Sequence, residues 1–242
     1  RVVSHYVDQA REAADWSGVR RVAVDEVSRK RGHVYATNFL DLDSGELLFM
    51  APGKDASTFE AFAEELARHG GRPGQIEELA MDMSKAFRKG AAKHFPEAKI
   101  SFDRFHVMML AGEALDAVRR EVATREGGLA KGAMWSLRGN ASRLSQSAAE
   151  LRQRLCRDYG EIGRAMGLRE FLRDTWNYTT RELAEEHLSS WYSWARRSRL
   201  EPFKKLARTI REHWEGILNY YHHWTTSAAI ESLHSKLQLA RS

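Results

Sequence analysis

The chain has 242 residues and a hydrophobic content of 43%, enough for one large domain or two modest ones with a real core. Its single cysteine, Cys156, excludes disulfides within the chain and leaves a multi-cysteine zinc site unsupported. No apolar run reaches membrane-spanning length and the first residues lack the blocks of a signal peptide, so we expect a cytoplasmic protein with no membrane partner.

The net charge of +5 is unevenly distributed along the chain. Residues 1–103 hold 15 Lys and Arg against 17 Asp and Glu, whereas residues 104–242 hold 23 against 16. A basic surplus confined to the second part is typical of a polyanion-binding surface beside an acidic site, although solvated basic helices would give the same count.

Taken in order, the first part of the chain predicts alternating strands and helices. A short amphipathic pattern over residues 2–18 predicts a helix, within a lead-in that we assign to residues 1–19. Three β-rich runs separated by turn-forming stretches then predict an antiparallel meander: RVAVDEVS, HVYATNFLDL and ELLFMAP. The segment STFEAFAEELARHGG predicts a helix with a capping box between Ser57 and Glu60. A strand in QIEELAMDM, a helix in SKAFRKGAAKHF and a strand in AKISFD follow.

The order β-β-β-α-β-α-β is that of the RNase H-like fold, and beyond it the β pattern disappears. We therefore predict an α/β fold with an RNase H-like five-stranded mixed sheet, whose first part covers residues 20–105. An all-α insertion is predicted over residues 106–225. A closing helix within residues 226–242 would complete the core, with Thr226 or Ser227 as its cap.

Three apolar, strand-like runs each end on an acid: Asp25, Asp82 and Asp103. Strands disfavour Asp, and burying its charge is costly, so this recurrence indicates a functional cluster. A coincidence of three strand edges is the alternative. In the predicted fold the first and fourth strands are neighbours, which would bring Asp25 and Asp82 within metal-bridging distance. Divalent cations relieve the repulsion of two carboxylates, and Mg²⁺ prefers oxygen ligands and bridges phosphates. Two such ions can activate a water or a 3′-hydroxyl, which predicts phosphodiester cleavage and strand transfer.

A third acid is available in the closing helix. Glu231 lies beside an apolar stripe formed by Ile230, Leu233 and Leu237, so packing of this helix on the sheet would direct it toward the aspartates. A solvated helix Glu is the alternative, and Asp103 is a rival third ligand.

Three stretches of the chain resemble one known family: VAVDEVSRKRGHVYATNFLDLDSGELL, AMDMSKAFRKGAAKHFPEAKISFDRFHVMMLAGEALDAVRRE and TSAAIESLHSKLQL. Over about residues 20–240 they are similar to the DDE transposases of bacterial insertion sequences of the ISL-three type. The resemblance implies that Asp25, Asp82 and Glu231 form the catalytic triad and hold Mg²⁺ or Mn²⁺ as two ions. It also implies a homodimer or higher oligomer on DNA, bridging insertion-sequence ends and target DNA.

The sequence FDRFH matches the C/D-x-x-H signature that follows the second acid in several DDE families with helical insertions. The resemblance implies that His106 lies near the scissile phosphate or bonds a catalytic carboxylate, and that Asp103 positions it. A capping Asp and a satisfied buried His form the alternative. A structure-selective RNase H-like nuclease and an inactive DNA-binding transposase derivative are the competing functions.

The insertion also offers candidate DNA contacts. Residues 196–211 hold seven Lys and Arg and one acid, which indicates a phosphate-contacting face or, alternatively, a solvated helix surface. The DNA-binding candidates in it are Arg196, Arg197, Arg199, Lys204, Lys205 and Arg208. Most tryptophans after residue 106 are expected in the core, but Trp135 has basic neighbours and is a candidate for stacking on an unpaired base.

Overall fold

The computed structural model of the chain describes residues 13–30 and 34–223, without the side chains of residues 28–30, 34 and 223. The closing helix with Glu231 and the first twelve residues of the predicted lead-in lie outside these ranges. The chain divides into two compact units with a boundary after Asp103, and Arg104–Tyr221 form the second unit. In the described part, no helix is long and apolar enough to cross a membrane.

The first unit is built on a five-stranded mixed sheet with the order β3-β2-β1-β4-β5. The pairs β1–β2 and β2–β3 are antiparallel, whereas β1–β4 and β4–β5 are parallel. The strands are β1 (Arg21–Lys30), β2 (Val34–Asp41), β3 (Leu47–Pro52), β4 (Glu78–Met81) and β5 (Lys99–Phe102). This topology confirms the predicted RNase H-like α/β sheet, including the neighbouring first and fourth strands.

Two helices, α1 (Ser57–Arg68) and α2 (Lys85–His94), contribute to an aromatic core on one face of the sheet. The ring of Phe39 on β2 stacks on Phe62 at 4.3 Å and meets the edge of Phe59 at 5.4 Å. Phe59 in turn contacts Phe87 of α2 at 5.4 Å, and all four side chains are fully buried. Burial of these large rings supplies much of the apolar area that stabilises the unit.

The start of α1 differs from the predicted capping box. Its N-cap position is Ala56, which has no side-chain acceptor, and Ser57 is already helical. Asp55 provides the acceptor at the helix start instead: its Oδ1 accepts from the backbone N of Ser57 at 2.8 Å and from the Ser57 hydroxyl at 2.6 Å. These two hydrogen bonds lower the pKa of Asp55, since they favour its charged form.

The described end of the predicted lead-in helix, residues 13–18, is not helical. Asp15 accepts from the backbone N of Ser17 at 2.9 Å and forms a turn, as Asp side chains do when they compete with helix formation. The backbone N of Trp16 donates to the carbonyl of His69 at 2.8 Å, and the two rings are in contact, with centroids 4.1 Å apart and planes tilted by 41°. Contacts with the end of α1 therefore override the local helical pattern.

The second unit is all-α in its described residues, as predicted for the insertion. Its helices are α3 (Arg104–Arg125), α4 (Ala133–Arg138), α5 (Gln146–Asp158), α6 (Gly160–Arg173), α7 (Arg181–Arg197), α8 (Glu201–Glu212), α9 (Trp214–Leu218) and α10 (Tyr220–His223). Trp191 of α7 is fully buried and donates to the Leu168 carbonyl at 2.8 Å, while Trp176 and Trp214 are also buried. These three tryptophans are core residues, as expected.

Candidate active site and nucleic-acid surface

The three aspartates lie at one level of the sheet, Asp25 within β1 and Asp82 and Asp103 directly after β4 and β5, so the apolar run before Asp25 ends there but its strand continues to Lys30. The β1–β4 pairing ends at Ala23 and Ala80, so Asp25 and Asp82 each follow the last pair by two residues. The β4–β5 pairing ends at Met81 and Phe102, so Asp82 and Asp103 each follow it by one residue. A bond from the backbone N of Asp103 to the Met81 carbonyl, 3.1 Å long, continues that ladder. The parallel register therefore brings the three acids to neighbouring positions at the carboxyl ends of their strand pairings.

Local hydrogen bonds hold two of these half-buried carboxylates. The Oδ1 of Asp25 accepts from the backbone N of Glu26 at 2.7 Å, and the Oδ1 of Asp82 accepts from the backbone N of Ser84 at 2.8 Å. Ser84 is itself the N-cap of α2, so the end of β4 and the start of α2 fix the backbone around Asp82. Within the described residues, no three His, Cys, Asp or Glu side chains are grouped closely enough to hold a metal ion. Glu231, the proposed third ligand, lies outside the described residues.

Asp103 and His106 fall on either side of the boundary between the two units. Asp103 is half-buried and directly precedes α3, whose first turn carries His106. The His106 ring is half-buried and meets the neighbouring Phe105 ring edge-on at 5.7 Å, whereas Phe105 is 57% exposed. The predicted roles of Asp103 and His106 toward the scissile phosphate stay predictions.

The structure adds one residue that the sequence patterns did not single out. Asn38 on β2 pairs directly with Asp25 on β1 and is fully buried. Neither its Nδ2 nor its Oδ1 has a hydrogen-bond partner among the residues that the structure describes. The signal in the sequence was an Asn inside the otherwise β-rich run YATNFL, which strand propensities disfavour.

A further acid in this sheet, Glu78 of β4, is fully buried, but neighbouring side chains balance its charge. It forms an ion pair with Arg21 at 3.1 Å and accepts a hydrogen bond from Ser101. Arg21 also pairs with Asp43 at 2.8 Å. Because its charge is balanced by a cation and a hydroxyl, we assign Glu78 a structural role. In this it differs from the aspartates at the other end of the strand pairing.

The basic surface, residues 196–211, runs along the chain from the end of α7 into α8. Its exposed cations are Arg196, Arg197, Arg199, Lys205, Arg208 and Arg211. Lys204 is half-buried and forms an ion pair with Glu201 at 2.6 Å, so part of its charge is already neutralised. The opposite face of α8 is apolar and buried through Phe203, Leu206 and Ile210, so the cations remain on the outside.

Trp135 is the most exposed large hydrophobic residue of the described part, at 73%. It lies in the short helix α4, and Lys131 and Arg138 on either side of it are exposed as well. Its ring is therefore available for stacking, unlike the buried tryptophans of the same unit.

A family model for DDE transposases of the ISL-three type, described as "Transposase", matches residues 22–242, and the chain belongs to that family. It is 27% identical over 234 residues to the transposase for insertion sequence element IS1001 of Bordetella parapertussis, covering 94% of this chain and 57% of that protein. It is 28% identical over 261 residues to the transposase for IS1557 of Mycobacterium tuberculosis (strain CDC 1551 / Oshkosh), covering 97% of this chain and 58% of that protein. The chain thus spans somewhat more than half the length of these curated relatives.

Proposed function

We propose that this chain carries the catalytic core of a DNA transposase that cleaves insertion-sequence ends and transfers the exposed 3′-hydroxyl into target DNA. One observation carries the proposal: Asp25 and Asp82 occupy the same level of two neighbouring parallel strands, although 57 residues separate them. Two acids at adjacent strand positions repel each other unless a cation or a proton is shared between them. The presence of two such acids side by side in the sheet of a transposase-family protein supports a catalytic role for both.

The donor set suits a divalent cation. Asp25 and Asp82 offer carboxylate oxygens, which Mg²⁺ and Mn²⁺ prefer, and the amide of Asn38, which bonds no described residue, lies beside Asp25. Asp25, Asp82 and Glu231 are the residues that would hold the metal. When bound, two such ions supply an activated water or 3′-hydroxyl and stabilise the leaving oxygen.

The chain's own residues then have distinct tasks. The bonds from Glu26 to Asp25 and from Ser84 to Asp82 fix one oxygen of each carboxylate, leaving the side chains a defined orientation before DNA arrives. Asp103, one position past the last β4–β5 pair, and His106 in the first turn of α3 are proposed to contact the scissile phosphate or the acids. Asp103 is also the rival third acid.

The basic surface at α7 and α8 is proposed to contact the phosphate backbone of the insertion-sequence end. Such contacts supply affinity and position without reading sequence, and their strength falls with salt. Trp135 is proposed to stack on an unpaired base beside the end. Because two ends must be joined in one event, we propose that the protein acts as a dimer or higher oligomer on DNA.

The test is metal-dependent nicking and strand transfer on a labelled insertion-sequence end, with Mg²⁺ or Mn²⁺. The variants are Asp25→Asn, Asp82→Asn, Glu231→Gln and Asp103→Asn. Asp43→Asn is the matched control, because Asp43 pairs with Arg21 at the opposite end of β1. Loss of product in the first three variants with retained DNA binding is the expected result, and Asp43→Asn stays active.

Other outcomes would change the assignment. An active Glu231→Gln with an inert Asp103→Asn would make Asp103 the third acid. Nicking without any joined product, even from a pre-cut end, would indicate a structure-selective nuclease. A wild-type chain that binds the end but never cuts it would indicate a DNA-binding derivative.

A further inference from the structure

Asn38 is buried, and the residues that the structure describes offer its amide no hydrogen-bond partner. Its side chain is 0% exposed, and the described residues provide no hydrogen-bond partner for either amide atom. Ala36 and Leu40, which share its side of β2, are also 0% exposed and are apolar. A leucine, whose side chain has the same number and branching of heavy atoms but no polar ones, would satisfy this environment better, since a buried amide without partners is destabilising.

The cross-strand register explains what the amide faces. Asn38 is directly opposite Asp25 in the antiparallel β1–β2 pair, and directly opposite residues project to the same side of a sheet. Their Cβ atoms are then about 4.5–5.5 Å apart, close enough for an amide to reach a carboxylate or a water bound to it. The disfavoured residue thus lies beside one of the acids proposed to hold the metal.

We infer that Asn38 is a positioning residue for the cation site: its amide orients the Asp25 carboxylate and the water around a divalent cation bound there. The Nδ2 group can donate to the carboxylate, while Oδ1 can accept from a water of the hydrated ion. Mg²⁺ keeps several of its waters in protein sites, so an acceptor beside the ligand has a natural partner. This inference rests on the proposed function, because it requires Asp25 to bind the metal.

Mn²⁺ binding to the DNA-free 242-residue protein, followed by the electron paramagnetic resonance signal of free Mn²⁺, tests the inference without reading activity. Asn38→Leu is compared with wild type, with Asp25→Asn and with Thr37→Val. Thr37 is the matched control, since it is buried on the opposite side of the same strand and bonds the Gly53 carbonyl at 2.9 Å. Urea unfolding of each metal-free variant is measured in parallel.

We expect Asn38→Leu to unfold at the same or a higher urea concentration and to bind Mn²⁺ about 10–100-fold more weakly, the usual effect of losing a residue that orients a ligand. Thr37→Val should unfold more easily yet bind Mn²⁺ as wild type does. Equal Mn²⁺ affinity in Asn38→Leu and wild type, with loss in Asp25→Asn, overturns the inference alone. Equal affinity in Asp25→Asn and wild type overturns the metal assignment of Asp25 as well. If Asn38→Leu does not fold, Asn38→Thr serves in its place.

Discussion

Arg199 adopts a backbone conformation that an arginine tolerates poorly. Its φ is 61°, and it is the only non-glycine residue of the described part with a positive φ. It follows Ser198, the C-cap of α7, so it occupies the position where helices commonly end on a left-handed glycine. Neighbouring residues hold the backbone turn at Arg199 in place: the buried Ser198 hydroxyl donates to the Ala195 carbonyl at 2.7 Å and accepts from the Leu200 backbone N at 3.2 Å.

The substitution Arg199→Gly should therefore stabilise the fold and weaken DNA binding. A left-handed conformation costs a non-glycine residue about 1–2 kcal/mol, while glycine adds about 0.4–1 kcal/mol of chain entropy to the unfolded state. The net gain is about 0.5–1 kcal/mol of unfolding free energy. The exposed guanidinium has no hydrogen bond or ion pair to a described residue, so its removal costs little.

The DNA effect follows from the lost charge. One phosphate contact fewer lowers the slope of log affinity against log salt by about 0.9. A charge-assisted hydrogen bond of about 1.5 kcal/mol corresponds to roughly tenfold weaker binding at low salt. Urea unfolding measures stability, and fluorescence anisotropy of a labelled duplex at several salt concentrations measures binding.

Two controls separate the causes. Arg199→Ala removes the same charge but keeps the strain, so it should lose binding without gaining stability. Arg197→Gly removes a charge from the last helical residue of α7, where glycine costs up to about 1 kcal/mol. An Arg199→Gly variant no more stable than wild type would refute the strain argument, and an unchanged salt slope would refute the phosphate contact.

Three further substitutions test packing, proton binding and stacking. In Gly90→Ala, the new Cβ would lie 2.5 Å from a ring carbon of buried Phe59, so thermal unfolding should show a loss of about 1–3 kcal/mol. Burial raises the pKa of Tyr221 to about 12, so its stabilising contribution is present below the unfolded pKa of about 10 and lost as pH rises toward 12. Tyr221→Phe should remove that alkaline dependence of the urea midpoint and cost about 1 kcal/mol through the lost bond to the Thr175 carbonyl. Trp135→Ala should leave the free energy of unfolding in urea within about 0.5 kcal/mol of wild type. It should weaken binding to ends with unpaired bases, measured by fluorescence anisotropy, by about 1–3 kcal/mol.

The sheet was predictable because local sequence patterns indicated each strand. β-rich or apolar runs marked all five strands, and turn residues separated the first three, so the strand order followed from one known topology. The same local logic failed at the first helix, where Asp55 and not Ser57 provides the cap. It also failed over residues 13–18, where long-range contacts to His69 decide the conformation.

The site was predictable only where topology alone determines proximity. Parallel neighbours with matching register bring Asp25 and Asp82 to one level, so their separation in sequence does not matter. Asn38 could not be assigned in this way, because its relevance depends on which β1 residue it pairs with, and the sequence does not state the register. Burial of both its amide atoms is likewise a property of the folded chain.

Asn38 and Arg199 both break local rules: Asn38 is a buried amide without a partner in the described part of the chain, and Arg199 is an arginine with a positive φ. Each has an obvious replacement that would fit its position better, leucine for Asn38 and glycine for Arg199. A protein that retains costly residues at a few positions commonly does so where function requires them. One lies beside a proposed catalytic acid and the other within the basic surface, so stabilising replacements at these positions should impair metal or DNA binding. At Gly90, by contrast, local packing already explains the residue, and its replacement should affect stability alone.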